Sequence, residues 1–70
     1  MVEEKNFHDF KCVFSHNSKT RILIIDYYKR GKLFFRTCSQ GAKAAFAKRF
    51  IKTFDEQIAK TMYKDNMEIF

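Results

Sequence analysis

Aromatic side chains and cations are interleaved between residues 27 and 37, which read "YYKRGKLFFRT". Aromatic rings stack on nucleic-acid bases, at about 1–3 kcal/mol per base, while Lys and Arg side chains bind phosphate groups. Adjacent side chains of a strand point to opposite faces. Each adjacent pair of rings, Tyr27-Tyr28 and Phe34-Phe35, should therefore place one ring on a face away from the core. We interpret rings among cations on such an outer face as a candidate nucleic-acid site.

The positive charge is concentrated in the middle of the chain. Residues 11–52 contain eleven Lys and Arg and one acid, a net charge of +10, whereas residues 1–10 and 53–70 each have a net charge of −2. This distribution predicts one positive region on the folded surface. The predicted nucleic-acid contacts are, in chain order, Tyr28, Lys29, Arg30, Lys32, Phe34, Arg36, Lys43, Arg49 and Lys52.

The spacing of the polar side chains does not favour metal binding or catalysis. His8, Cys12 and His16 occur at intervals of four residues. Four residues of a strand span about 13 Å, so these three side chains cannot bind one zinc ion together. No nucleophile with a base, and no pair of carboxylates, occurs at a useful spacing. We therefore predict a protein that is not an enzyme and that has no metal or cofactor.

The length of 70 residues predicts one domain, and the apolar fraction of 46% predicts a folded core. The chain lacks the run of about 18 apolar residues that a membrane span requires. Its first ten residues lack the apolar segment of a secretory signal. We expect a cytoplasmic or nucleoid-associated protein that is not secreted and has no membrane partner. Cys12 and Cys38 are then expected to be buried thiols, with a disulfide or a redox role as the alternatives.

Three strands followed by one helix are predicted from the apolar pattern. Residues 10–15 alternate, with Phe10, Cys12 and Phe14 on one face, which favours a strand over about 8–16, although the Phe residues of 7–14 also fit a helical period. Residues 20–28 and 32–38 are rich in β-branched and aromatic side chains, which favours two further strands. The helix is predicted over about 40–64. The predicted fold is α+β: a three-stranded antiparallel β-meander (β-β-β-α) with one long C-terminal helix packed on one face. The first strand could pair with either of the other two.

The turn between the second and third strands sets their predicted register. We predict a three-residue loop, 29–31, with a G1 bulge. Such a loop requires a residue in the left-handed conformation, which Gly31 can adopt. This loop pairs Tyr28 with Lys32. We prefer it because a two-residue loop would mix apolar and charged side chains on both faces of the hairpin.

This register predicts the composition of the outer face. Phe34 and Arg36 lie there beside Tyr28 and Lys32. Asp26, the one acid of the basic region, shares that face, and we expect it to form a cross-strand pair with Arg36 or Lys32.

The helix is predicted to begin at Ser39, a common N-cap residue. Its N-terminus, close to Lys43, could hold a phosphate group, with an ordinary helix cap as the alternative. The tail, 65–70, is expected to fray or to fold back through Ile69 and Phe70. The apolar stripe that faces the sheet is expected to contain Phe46, Ala47, Phe50, Ile51, Phe54, Ile58 and Met62.

Two functional hypotheses follow from these patterns. The first is a small, basic, non-enzymatic nucleic-acid-binding protein, with DNA preferred over RNA, that binds through the outer face of the sheet and the N-terminal half of the helix. The second is a protein-interaction module, an inhibitor or adaptor that docks on an acidic partner. A homodimer would suit a core this small. In architecture only, the element order resembles small sheet-plus-helix nucleic-acid modules such as the arm-binding domains of phage integrases. The size of the chain and its composition rich in Lys, Phe and Ile fit a phage or mobile-element accessory protein.

Overall fold

The computed structural model describes residues 2–67, with side chains described through residue 64. Four antiparallel strands form one sheet in the order β1-β2-β3-β4, and two short helices follow. The α+β class agrees with the sequence, but the predicted three strands and single long helix are wrong. The elements are β1 Val2–Asn6, β2 Lys11–Asn17, β3 Ile22–Lys29, β4 Lys32–Gln40, α1 Ala44–Thr53 and α2 Glu56–Met67.

The additional strand, β1, has almost no apolar pattern of its own. Its sequence is VEEKN, and four of its five residues are exposed. It is a strand because it pairs with β2, from Val2 opposite Ser15 to Asn6 opposite Lys11. The predicted first strand over 8–16 is therefore wrong at its start, where residues 7–10 form a turn closed by a bond from the Phe7 nitrogen to the Phe10 oxygen (2.8 Å). The alternative helix over this segment is also wrong. The strand order is settled, since β2 pairs with β3.

The β3–β4 hairpin has a different register from the predicted one. Its loop has two residues, Arg30 and Gly31, both in the left-handed conformation with φ of 54° and 78°, as a type I′ turn requires. A bulge follows inside the hairpin, where Tyr28 pairs with Leu33 but Tyr27 pairs with Phe35. The predicted three-residue loop and the pairing of Tyr28 with Lys32 are wrong. Phe34 is the extra residue of the bulge, so it no longer alternates with its neighbours.

The predicted long helix is broken at Phe54 and Asp55. Phe54 is extended (φ −68°, ψ 123°), and the Asp55 carboxylate accepts a hydrogen bond from the Ile58 nitrogen (2.8 Å), which caps the start of α2. The Lys5 ammonium group donates to the carbonyl oxygens of Lys52 (3.3 Å) and Phe54 (2.8 Å). These carbonyls lie at the end of α1 and have no partner within the helix. A side chain from β1 therefore stabilises the break between the two helices.

The first helix begins later than predicted. β4 continues to Gln40, so Ser39 is a strand residue opposite Leu23 and not an N-cap. The Ala42 nitrogen then donates to the Arg21 oxygen (2.8 Å). Lys43 is the N-cap residue of α1, and it makes no capping hydrogen bond through its side chain.

The core lies between one face of the sheet and the two helices. The ring of Phe54, at the helix break, packs edge-on against Phe14 of β2 with 4.8 Å between the centroids. Phe46 was predicted to face this core but is 57% exposed. The buried apolar residues are Cys12, Phe14, Leu23, Ile25, Tyr27, Ala42, Ala47, Ile51, Phe54 and Ala59. α2 continues to Met67, and the part of the predicted tail at 68–70 lies outside the described residues.

We expect Lys5→Met to destabilise the protein by about 1–2 kcal/mol, because the carbonyls at the helix break lose their charged donor. Urea unfolding would measure this. The matched control is Lys11→Met, since Lys11 forms an exposed ion pair with Glu4 at 3.7 Å and lies over the Tyr28 ring, two contacts that are each worth up to about 1 kcal/mol. Equal losses for the two variants would contradict a structural role for Lys5.

Candidate functional site

A cleft lined with aromatic rings opens between α2 and the β3–β4 hairpin. Its volume is about 580 Å³. We call it the aromatic cleft and define it by its four rings, Phe10, Tyr27, Phe34 and Tyr63. Its other lining residues are Asp9, Lys29, Lys60 and Lys64. A concave apolar site with a few charged groups at its rim is the usual form of a ligand site.

The direction of α2 across the sheet creates this cleft. The start of α2 lies near β1, because Lys5 binds the helix break. Further along, the Tyr27 hydroxyl on β3 donates to the Ala59 carbonyl oxygen (2.9 Å). Tyr63 then packs on the β4 rings, 5.2 Å from Phe34 and 5.5 Å from Phe35. α2 therefore crosses the strands from the β1 side to β4, and its last described turn forms one wall of the cleft.

The rings of the cleft differ in depth. Tyr27 forms the floor and is 1% exposed, whereas Phe34 is 37% exposed at the opening. Phe10 is stacked on Tyr27, with 5.8 Å between centroids and 10° between planes. Phe34 meets Tyr63 edge-on at 76°. Phe34 is therefore the most exposed of the four rings of the cleft.

Three cations lie at the turn beside the cleft. They are Lys29, Arg30 and Lys32, and we call them the tip cations. Lys29 and Lys32 are directly opposite each other, an arrangement of like charges that destabilises a hairpin. Arg30 has the left-handed backbone that side chains other than Gly adopt at a cost of about 1–2 kcal/mol. Among the described residues no ion pair involves any of the three. Unbalanced charge and backbone strain therefore coincide at one end of the cleft.

The outer face of the sheet, which the helices do not cover, is not the cationic surface that the sequence predicted. Arg36 donates to both carboxylate oxygens of Asp26, at 2.5 and 3.1 Å. This confirms the expected cross-strand pair, and the bond to Asp26 together with its negative charge raises the pKa of Arg36 above its ordinary value. Lys11 pairs with Glu4 at 3.7 Å. Each of these two cations is thus paired with an acid, so the positive and negative charges of this face cancel.

Two rings that were predicted to share the outer face are on opposite sides of the sheet. Tyr28 lies on the outer face, where the Lys11 ammonium group is 5.6 Å from its ring centroid. Phe34 is on the helix side, 6.0 Å from Tyr27. The bulge is the reason, since it turns Phe34 to the face of Phe35. Leu33 takes the place opposite Tyr28.

The predicted cations on α1 form a second group, apart from the tip cations. Lys43, Arg49 and Lys52 are all exposed. Lys43 follows Ala42, which binds the Arg21 backbone at the start of β3, whereas the tip cations lie at the other end of that strand. Lys43 is therefore separated from the tip cations by the length of β3, whereas the Lys52 backbone lies against Lys5 of β1. Ser39, whose predicted cap would have helped to hold a phosphate at the helix N-terminus, is part of β4.

The cysteines differ from each other in environment. Cys12 is buried, as expected, but Cys38 is exposed, so the prediction of two buried thiols is half wrong. Cys12 is opposite Tyr27 on the helix side of the sheet, and Cys38 is opposite Ile24 on the outer face. The two thiols therefore cannot form a disulfide in this fold. Among the described residues, no three His, Cys, Asp or Glu side chains are close enough to hold a metal ion.

Neither helix in the described part of the chain has the length and apolar character needed to cross a membrane. Comparisons with protein-family models, with curated proteins and with solved structures gave no match. The function must therefore be inferred from the side chains of this protein.

Most of the aromatic cleft was not predicted from the sequence. Lys29 and Phe34 were predicted contacts, whereas Phe10, Tyr63 and the lysines of α2 were not. The contact between Phe34 and Tyr63 joins residues far apart in the chain, and no local pattern indicates it. The one available signal was the presence of unassigned aromatic residues near both ends of the chain.

Two buried groups on the helix side of the sheet, the Cys12 thiol and the Tyr27 hydroxyl, make the stability of the fold depend on alkaline pH. Burial raises the pKa of the Cys12 thiol from 9.0 to about 12. Burial also raises the pKa of the adjacent Tyr27 hydroxyl, with a smaller effect from Cys12. Above about pH 9 the unfolded chain therefore loses protons that the folded protein keeps.

We expect these two groups to leave the free energy of unfolding unchanged below about pH 9 and to lower it progressively from there to about pH 12. Each group contributes a slope of up to about 1.4 kcal/mol per pH unit. Urea unfolding of Cys12→Ala should show a shallower slope than the wild type, because one of the two groups is removed. Cys38→Ala, which changes an exposed thiol, should keep the wild-type slope. Identical slopes for both variants would contradict the contribution of Cys12.

Proposed function

We propose that this protein is a small, non-enzymatic nucleic-acid-binding protein that binds through the tip cations and the aromatic cleft. One observation carries this proposal: the tip cations adjoin a cleft with an exposed ring, Phe34. Among the described residues, the tip cations Lys29, Arg30 and Lys32 have no ion-pair partner. Phosphate groups would neutralise the cations, and bases would stack on the ring. A bound phosphate would also remove the repulsion between Lys29 and Lys32.

The charge distribution supports the same proposal. The net charge of +6 attracts a polyanion over a distance and accelerates its association. The cations of α1, Lys43, Arg49 and Lys52, would contribute to this attraction and would contact a strand long enough to reach them. Arg36 and Tyr28, which were also predicted as contacts, face the outer side, where Asp26 and Lys11 already bind them. We therefore assign them no main role in phosphate binding.

The proposal includes a location in the cytoplasm or at the nucleoid. An exposed thiol such as Cys38 remains reduced in such compartments. Nucleic acid is present there as well.

The proposal predicts binding that depends strongly on salt and on Arg30. Wild-type affinity for a DNA oligonucleotide should fall steeply between about 50 and 200 mM salt, as counterion release requires. Arg30→Asn should weaken binding and should reduce the salt slope by about 0.7–0.9, the effect of losing one phosphate contact. Fluorescence anisotropy with a labelled oligonucleotide would measure both quantities.

The matched control is Arg21→Asn. Arg21 also has a left-handed backbone, with φ of 57°, but it lies at the opposite end of β3 from the cleft. Both substitutions remove one charge, and Asn adopts this conformation more easily than Arg. Neither variant should therefore be less stable than the wild type, and only Arg30→Asn should lose the phosphate contact. The absence of binding at low salt, or equal effects of the two variants, would contradict the proposal.

A second candidate function is self-association through the outer face of the sheet. The charge balance of this face favours it, because a chain with a net charge of +6 repels its own copy except where charges cancel. The face also presents Leu33, which is 46% exposed, together with the partly exposed Val13, Ile22 and Ile24. Two copies could bury these side chains against each other, and exposed apolar patches often mark such interfaces.

For this candidate we expect a dimer in sedimentation experiments, and we expect Ile24→Lys to give a monomer by placing an unpaired charge in the contact. Phe46→Lys, which changes an exposed ring on α1, should leave the dimer intact. A wild-type protein that is monomeric at high concentration would rule out this second function without affecting the first.

A further inference from the structure

We propose that the aromatic cleft accepts one unpaired base, so that this protein prefers single-stranded nucleic acid over duplex. This inference rests on the proposed nucleic-acid binding and adds the class of ligand. The cleft would provide rings for the face of the base, and the lysines at its rim would bind the phosphates on either side of it.

The depth of the cleft supports an unpaired base. Its floor ring, Tyr27, is 1% exposed, and its most exposed ring, Phe34, is 37% exposed. In a duplex the faces of the bases are covered by their neighbours in the stack, so a ring in the wall of a cleft cannot reach them. A base that is unstacked can enter a pocket and stack on aromatic side chains. The volume of about 580 Å³ is within the range of small-molecule sites.

The charges at the rim are suited to the backbone on both sides of such a base. Lys29 lies on the hairpin, and Lys60 and Lys64 lie on α2, where a spacing of four residues places them on one face of the helix. Lys60 has a partner in Glu56, but at 3.9 Å this exposed pair is weak enough for a phosphate to replace it. Asp9 is the one acid that lines the cleft among the described residues. The rim is therefore positive on two opposite walls.

Two irregularities of the backbone meet at this cleft and place its groups. The bulge moves Phe34 from the outer face to the cleft, and bulges often redirect a side chain at a functional site. The left-handed Arg30 makes the tight turn that places Lys29 and Lys32 side by side. The bulge interrupts the regular ladder, and Arg at a left-handed position is less favourable than Gly or Asn. Both features place side chains at the cleft.

The test compares a single-stranded oligonucleotide with a blunt duplex of the same length, each by anisotropy at about 50 and 200 mM salt. The proteins are the wild type, Phe34→Leu and the matched control Phe46→Leu. Phe46 is 57% exposed but does not line the cleft. We expect the wild type to bind the single strand more tightly. Phe34→Leu should lower that affinity about 10-fold or more, as the loss of one base–ring contact would, and leave duplex binding unchanged. Phe46→Leu should behave as the wild type does.

A second measurement keeps the inference testable if Phe34→Leu fails to fold, which circular dichroism would show. Lys64→Gln and Lys48→Gln each remove one exposed cation, from the rim of the cleft and from α1 respectively. We expect Lys64→Gln to reduce single-strand affinity several-fold more than Lys48→Gln does.

The outcomes separate this inference from the proposed function. If neither oligonucleotide binds at low salt, the proposed function is wrong. If both bind equally, and the cleft variants behave as their controls do, the protein binds nucleic acid but the cleft does not hold a base. Single-strand preference that the cleft variants reduce and the controls do not would support the inference.

Discussion

The Tyr27 side chain connects most of this structure. Its ring packs on those of Phe10, Phe34, Phe35 and Tyr63, and its hydroxyl donates to the Ala59 carbonyl oxygen at 2.9 Å. A buried hydroxyl without a partner is costly, so this bond restricts where α2 can lie on the sheet. The helix then crosses to β4, and its wall of the aromatic cleft follows from that direction. A constraint in the core thereby determines the shape of the candidate site.

Stability and binding make opposite demands at the β3–β4 hairpin. On the outer face, each cation has an acid close to it, and the burial of Asp26 is compensated by its bonds to the exposed Arg36. At the turn, Lys29 is opposite Lys32 and Arg30 has an unfavourable backbone. Such local conflicts are uncommon in a chain selected for stability alone, and functional sites are where they persist. The position of unbalanced charge is therefore more informative about function than the total charge.

The fold also shows how a chain of 70 residues supports a site of this kind with a small core. β1 contributes little apolar surface, but its Lys5 side chain stabilises the junction of the two helices. The break at this junction allows α1 and α2 to cover the sheet in different directions. One straight helix could not both lie against β2, as α1 does, and reach the rings of β4. The polar strand and the helix break therefore act together to position Tyr63 at the cleft.

The sequence by itself determined the features that depend on near neighbours. The β-branched run predicted β3 to within two residues, the alternation along β3 predicted which of its side chains face the core, and the pair of Asp26 and Arg36 followed from that alternation. Only the tertiary structure decided β1, the bulge at Phe34 and the helix break. β1 has no apolar pattern and is held by its partner strand. The bulge changes the side of one ring without changing composition, and the break combines a local cap at Asp55 with a bond from Lys5, about fifty residues away. Periodicity reports local geometry, whereas these three features are stabilised by contacts between distant residues, which a single sequence does not display.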